Sequence, residues 1–494
     1  MTAGAIWMVL FKLVERGLGL ISTLILARLL GPEDFGIVAM ALSFIAMAEL
    51  MTAFGFDVAL IQTRSATQAH YNAAWTCNVL LNLCVTLLMA ALALPIADFY
   101  QKPEVAWVVW ALAFGPLIAG LENVGVVAFR KELDFRREFT FQVSRKLIGF
   151  MIVVPVALLL RSYWALVIGI LMSKTAGTVI SYFMHPFRPR LSLSKFGELF
   201  RFSRWYLLNN VLVFLKERGN AFFLGRLYGP ASLGSYTVAY ELAHLPSTEI
   251  GAPINRALLP GFAKMASEDV KHAYGSAVGV LAMLALPAAV VLFVVAPFLV
   301  PIMLGPKWLS VVPLMQVLAF NGALLLFHSS ISAVLMGRGL SSRVTAANAA
   351  YVTLLVALLS VFAARFGVVG VAWCTLLTTV LCTPVYLYQI RRGLGIGAMV
   401  FVRATARPVA AAAPTAAVLH WALPGHHPTM SLWVSGAWLA AGVVAAVALY
   451  TATVCVLWLL AGRPEGAERA VYRRVRDTVK RWLAPPASPV GRRT

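Results

Sequence analysis

This sequence is short of charge. Of its 494 residues only 12% are Asp, Glu, Lys or Arg, and just 20 are acidic. Soluble domains carry roughly 25% charged and about 45–50% apolar residues, whereas the apolar share here is 60%. So little charge cannot clothe a soluble surface, so the outside is expected to face lipid. Cysteine is also scarce. Cys77, Cys84, Cys374, Cys382 and Cys455 all fall inside apolar runs, with neither a disulfide framework nor a metal-ligand spacing. There is no GxxxxGK[ST], HExxH, CxxC or GxSxG, hence no P-loop within the chain and none of these catalytic signatures. No large outer loop is expected that could house hydrolysis or polymerisation. The first apolar run lacks a basic start and is too long for the core of a cleavable leader.

What is present is a succession of apolar segments near the 20 residues or so needed to cross about 30 Å of hydrocarbon. Fourteen are predicted, near 3–30, 35–56, 73–97, 104–128, 140–161, 163–184, 203–226, 232–255, 272–304, 309–336, 341–364, 366–389, 401–423 and 431–460. The expected fold is an all-α polytopic membrane protein. Lys and Arg gather in alternate loops, as at Arg130, Lys131, Arg136 and Arg137, at Arg188, Arg190, Lys195 and Arg201, and at Arg391 and Arg392. The tail beyond 462 is basic too. The intervening loops hold little more than Lys102, Arg161, Lys307 and Arg365. The positive-inside rule therefore places the basic loops and both termini in the cytoplasm. That topology absorbs most of the +21 net charge, so nucleic acid is not an expected partner.

One sentence of sequence is written twice. "ARLLGPEDFGIVAMA" at 27–41 returns as "GRLYGPASLGSYTVA" at 225–239. Pro95-Ile96 returns at Pro301-Ile302, and "LAF" at 112–114 returns at 318–320. Two parallel six-helix repeats follow, 1–200 and 201–395, with appended helices over 396–460 and a basic tail over 461–494. Within the motif, Gly and Pro stop one helix, and Asp34 and Ser232 stand where they can cap the next. This reads as a tight helical hairpin.

Charges inside spans break the rules of the bilayer, at about 2.5–3.5 kcal/mol each on insertion scales. The first helix carries Lys12, Glu15 and Arg16. The seventh carries Lys216, Glu217 and Arg218, with Asn209, Lys216 and Asn220 spaced as one stripe. Lys174 stands in the sixth without an evident local partner. Cations exceed anions, which suits an anionic substrate; the alternative is a set of buried structural pairs. On the eighth helix Thr237, Tyr240, Glu241, His244 and Thr248 share a face. Glu241 and His244 are candidates for ion coupling, and a hydrogen-bonded interhelix contact is the competing account. Pro246, Pro253 and Pro260 predict a kink there. Glu49 and Glu122 are lesser coupling candidates, and Asn78 and Asn82 are expected to bridge helices.

"LARLLGPEDFGIVAMA", "FRKELDFRREF", "HPFRPRLS" and "LGSYTVAYELAHLP" followed by "RALLPGFAKM" together resemble the polysaccharide-transporter (Wzx-type) branch of the multidrug/oligosaccharidyl-lipid/polysaccharide exporter superfamily. The resemblance covers about residues 1–395. It implies two six-helix lobes around a central cavity. It also implies flipping of undecaprenyl-pyrophosphate-linked oligosaccharide across the bacterial inner membrane, for exopolysaccharide, capsule or O-antigen assembly. Implied partners are that lipid, the membrane, and polymerase and chain-length or export proteins. No cofactor is implied; a H+ or Na+ gradient, an external ATPase or product removal supplies the energy. Two alternatives stand beside this. A cation-coupled drug exporter of the same superfamily should have a more acidic interior. A membrane polymerase or acyltransferase would need a catalytic loop. In the tail, Val471, Val475, Val479 and Trp482 recur among arginines, as in an amphipathic helix on the anionic leaflet or a solvated basic tail.

Overall fold

The computed structural model describes residues 2–52, 67–132, 134–194, 196–251, 267–423 and 432–462, with Phe56, Leu60, Phe262, Met265 and 468–469. Among the described residues every regular element is helical: α1 Thr2–Leu29, α2 Pro32–Glu49, α3 Gln68–Tyr100, α4 Glu104–Gly120, α5 Phe135–Leu160 and α6 Trp164–Met184. The run Phe196–Pro246 breaks at Gly229, with φ 75° and ψ −176°, into α7 (196–228) and α8 (230–246). After α9 Ser267–Met303 and α10 Val311–Gly337, the run Ser341–Leu394 breaks at Gly367, with φ 67°, into α11 (341–366) and α12 (368–394). Both breaks need a positive φ that a side chain resists. The chain closes with α13 Ala398–Ala422 and α14 Leu432–Leu460. Each predicted apolar segment overlaps a helix among the described residues, but the one at 104–128 is not a single helix: α4 ends at Gly120 and the chain bends by 61° into a short helical stretch, Val124–Lys131. Eight described helices are individually long and apolar enough to span a bilayer. This is an all-α polytopic membrane protein.

Two departures concern α8 and the first hairpin. After Pro246 α8 gives way to a π-helical turn, Ser247–Gly251, and 252–255 lie outside the described residues. Pro253 and Pro260 lie outside the described residues. Gly31 is extended, with φ −102°; Pro32 at the first helical position stops α1 and starts α2 without a left-handed cap. Asp34 caps as expected, its Oδ2 accepting from Gly31 N at 2.9 Å. Its Oδ1 also accepts from Tyr163 N at 2.9 Å, tying the α5–α6 turn to the hairpin.

The chain forms two compact units. The first comprises Met1–Glu241, Leu299–Leu314 and Asn348–Thr378. In it α3 pairs with α4, α5 with α6, and α1 lies on α5. The two copies of the repeated motif meet here. A Cβ on Gly36 would overlap the Pro230 carbonyl, and one on Gly234 would overlap the Pro32 carbonyl. Each hairpin seats its second glycine under the other's proline, so backbone touches backbone. Around this crossing Arg28 caps the end of α9 at the Ile302 and Met303 carbonyls. The buried Trp308 donates to Ala27 O at 2.7 Å and meets Phe35 edge-on.

The second unit comprises Leu242–Phe298, Met315–Ala347 and Thr379–Thr494. It holds the end of α8, most of α9 and α10, the latter part of α12, and α13 and α14. Its core includes Leu281, Val290, Phe327 and Tyr386. The tail from 470 lies outside the described residues, so its amphipathic pattern is not described. Its beginning is anchored: Glu468 is buried and pairs with Arg407 of α13 at 3.3 Å. All five cysteines are free.

Candidate functional site

Three acidic side chains of the first unit, Glu15, Glu49 and Glu122, form cross-helix pairs. Glu49 on α2 meets Lys174 on α6 at 3.0 Å. Lys174 therefore has a partner after all, 125 residues away, and its stem runs across Gly115 of α4. Glu122 meets Arg145 of α5 at 3.6 Å, and the Arg145 stem crosses Gly177 of α6. Glu15 of α1 meets Lys146 of α5 at 4.0 Å. In two of these pairs a long basic side chain lies over a glycine, whose missing side chain leaves room for the stem. Arg145 and Lys146 were missed from sequence; their signal is a basic pair about 15 Å into a helix, at 1.5 Å per residue. The side chain of Lys12 lies outside the described residues, and Arg16 is half-buried.

The Glu49–Lys174 pair should be energetically coupled. Lys174→Met strands Glu49 and should lower the thermal midpoint of the detergent-solubilised protein. Adding Glu49→Gln should restore part of it, with a coupling of about 1–3 kcal/mol. Purely additive losses would make the pair incidental.

Two members of the predicted α7 stripe, Lys216 and Asn220, meet neighbouring helices. Asn220, only 3% exposed, donates to Tyr236 OH at 2.9 Å and to Thr375 Oγ1 at 3.0 Å. It links α7, α8 and α12 and does not line an open surface. Lys216 sits 4.7 Å above the Tyr351 ring of α11, a cation–π contact. Asn209's side chain lies outside the described residues. Glu217 and Arg218 are the exposed pair. Tyr240 of α8, stacked on Tyr236 with centroids 6.2 Å apart, stands in the field of both. α7 and α8 are thus a hairpin with Glu217, Arg218 and Tyr240 gathered on it. Arg218 lies about 16 Å from the Gly229 break, near half the hydrocarbon thickness.

The predicted face of α8 divides. Glu241 is exposed, while His244 is 8% exposed in the second unit. His244 Nε2 lies 3.2 Å from Asn321 Nδ2 of α10, and Asn321 Oδ1 accepts from Thr379 Oγ1 of α12 at 2.6 Å. His328 of α10 bonds Thr383 at 3.0 Å and stacks on Tyr386 at 4.1 Å. Sequence reasoning named His244 alone. Asn82 bonds the Asn78 carbonyl of its own helix at 2.8 Å and packs on Gly120, so it does not bridge helices as expected. Beyond α6, Asn123 holds the "HPFRPRLS" loop at Phe187 O, 2.7 Å away. His185 there accepts from Phe187 N, and burial lowers its pKa.

Comparison with known proteins bears on the family and the fold. The family described as polysaccharide biosynthesis protein matches residues 25–313. The lipopolysaccharide biosynthesis protein WzxC of Escherichia coli K12 is 27% identical over 68% of this chain and 70% of its own. The succinoglycan biosynthesis transport protein ExoT of Rhizobium meliloti 1021 is 26% identical over 67% and 68%. Among solved structures, the lipid II flippase MurJ in an inward closed conformation has a TM-score of 0.74 at 12% identity, covering 91% of this chain and 99% of that one. An inward-facing multidrug resistance MATE transporter has a TM-score of 0.56 at 16% identity, covering 77% and 95%. The chain belongs to the polysaccharide biosynthesis protein family.

Proposed function

We propose that this protein flips undecaprenyl-pyrophosphate-linked oligosaccharide repeat units across the bacterial inner membrane, with both termini in the cytoplasm. The observation that carries the reading is Arg218, exposed near mid-depth on α7 beside Lys216 and Glu217. An exposed guanidinium at that depth needs an anion, and a pyrophosphate supplies one with geometry suited to a bidentate fork. Sugars travel past the polar face of the α7–α8 hairpin, and the polyprenyl chain stays in lipid. The names of the relatives, which include a lipopolysaccharide biosynthesis protein and a succinoglycan biosynthesis transport protein, support the same reading. So does the name of the lipid II flippase that shares the fold. The crossed hairpins form the closure on the outer side, and transport alternates between opening there and opening to the cytoplasm.

The test is the fate of the lipid-linked repeat unit when the gene is deleted. It should accumulate on the cytoplasmic leaflet, unextended and inaccessible to an enzyme added from the periplasm. Accumulation on the periplasmic leaflet would instead indicate a polymerase, and no accumulation at all would remove the lipid-linked sugar as substrate.

A further inference from the structure

The loop after α6 reads "HPFRPRLSLS" over 185–194 and lies wholly within the first unit. Its prolines keep it out of a helix. A residue before proline is pushed toward extended backbone, and His185 has φ −129° and ψ 132°. Side chains of other elements hold the loop down. Asn123 Nδ2 donates to Phe187 O at 2.7 Å, and the Phe187 ring meets Tyr71 of α3 with centroids 5.7 Å apart. Further along, Asn72 Oδ1 accepts from Arg190 N at 2.9 Å, and Thr76 Oγ1 accepts from Ser192 N at 3.0 Å.

The last two bonds set the course of the loop. Asn72 and Thr76 stand one turn apart on α3, about 6 Å at 1.5 Å per residue. Arg190 and Ser192 are two extended residues apart, about 6.6 Å at roughly 3.3 Å per residue. The strides match, so the loop runs alongside α3 in the same sense, as a strap. Asn72 precedes the apolar run of α3 that starts at 73, and Thr76 lies within it. Between Arg190 and Ser192 the strap therefore passes from headgroup level to the edge of the hydrocarbon. Trp75 and Tyr182, which share the Leu121 carbonyl, stand at the same level, as aromatic residues do at a membrane interface.

Charge and exposure change along the strap at that boundary. On the headgroup side Arg188 and Arg190 are both exposed. Arg188 is braced by backbone: it donates to the His185 and Phe187 carbonyls at 2.9 and 3.0 Å and lies 5.9 Å above the Tyr182 ring. Among the described residues no carboxylate pairs with Arg188 or Arg190. On the hydrocarbon side Leu191 is 75% exposed and Leu193 52%. Two cations followed by two exposed leucines, at the boundary of a bilayer, match a lipid with an anionic head. In an extended chain the Cα atoms of Arg188 and Arg190 are about 7 Å apart, near enough for both guanidiniums to reach one phosphate group. The cytoplasmic leaflet carries such lipids.

We propose that the strap binds an anionic phospholipid of the inner leaflet, its phosphodiester held by Arg188 and Arg190 and its acyl chains starting at Leu191 and Leu193, and that the bound lipid fastens the strap to α3 ahead of α7. The choice of leaflet rests on the orientation proposed above. The lipid site itself rests neither on that orientation nor on flipping. A diffuse attraction to a charged surface would depend on net charge alone, whereas this site also depends on Asn72 and Thr76 holding the strap in place. A ligand that binds only the folded protein stabilises it by mass action, which makes the site measurable without transport.

The test titrates the full chain, in a neutral detergent, with phosphatidylglycerol or phosphatidylcholine while the thermal midpoint is read. Phosphatidylglycerol should raise the midpoint at a lower concentration than phosphatidylcholine. Arg188→Gln and Arg190→Gln should each raise the concentration for half effect about fivefold, the weight of one arginine at an anionic surface, and together about 25-fold. Arg161→Gln, which removes a cation at the far end of α5, is the control and should leave it unchanged. Thr76→Val keeps every arginine but removes the acceptor for Ser192 N; it should weaken binding about two- to tenfold. Equal responses to the two lipids, an Arg161→Gln loss as large as that of Arg188→Gln, or a Thr76→Val variant that binds as the wild type does, each overturns the site. Glycerol phosphate alone reproducing the full rise, or undecaprenyl phosphate acting where phosphatidylglycerol does not, overturns the phospholipid as its occupant. Absence of flipping by protein that binds phosphatidylglycerol as expected would discard the flippase reading and leave the site standing. Labelling of Leu193→Cys above the wild-type background by an impermeant maleimide in intact cells would overturn the inner leaflet alone.

Discussion

Gly36→Ala and Gly234→Ala should each disrupt the crossing of the two hairpins. In both, the added Cβ would fall on a proline carbonyl of the opposite hairpin, and the Gly234 Cβ would also lie 2.9 Å from Gly36 N. No flexible side chain can yield, because both surfaces are backbone. Overpacking a well-filled interior costs about 1–3 kcal/mol and occasionally more, and a backbone-to-backbone clash belongs at the upper end. The thermal midpoint should therefore fall. A cysteine introduced at Ala231, at the exposed turn of the second hairpin, should become more reactive toward an impermeant maleimide. Gly19→Ala is the matched control. Nothing lies within 4 Å of a Cβ there, and a helical Gly→Ala change gains up to about 1 kcal/mol. If Gly36→Ala behaves like Gly19→Ala, the hairpins do not touch as described.

Arg218→Ala should reduce polysaccharide export on the order of ten- to a hundredfold while the protein inserts normally. A charge-assisted hydrogen bond to phosphate contributes about 1.5–3 kcal/mol. Arg218→Lys should recover only part of the activity, because an ammonium keeps the charge and loses the planar fork. Lys216→Ala is less clean, since it also removes the contact with Tyr351, worth about 0.5–2 kcal/mol. The double change Lys216→Ala/Glu217→Ala removes one charge of each sign. If export survives Arg218→Ala in well-expressed protein, the cations of α7 are structural and the pyrophosphate is held elsewhere.

The helices were legible in the sequence because membrane insertion is a local property. A segment of about 20 apolar residues must hydrogen-bond its own backbone wherever it lies. That constraint locates α3 or α9 without reference to a neighbour. Glycine and proline punctuation was legible for the same reason, as at Gly229. Where a local signal was weak, the reading slipped. Arg145 and Lys146 sit inside an otherwise apolar span, and their role depends on Glu122 and Glu15 of other elements. Asn321, Thr379 and His328 are single polar residues in apolar helices and carry no periodicity.

By itself the sequence determined the all-α spans, the hairpin punctuation, the repeated motif and the excess of positive charge. Each follows from residue type and spacing along one helix. Only the tertiary structure decided which way each face points and what meets it. Periodicity placed Lys216 and Asn220 on one face but could not say that this face packs against Tyr351 and Thr375. Lys174 looked unpartnered until α6 was laid beside α2, which brought Glu49 to 3.0 Å. The glycines of the two motif copies share positions in the repeat, yet their contact exists only because the two hairpins cross. Rotation of a helix about its axis and the choice of its neighbour are set by packing among distant segments, and no window of the sequence contains both partners.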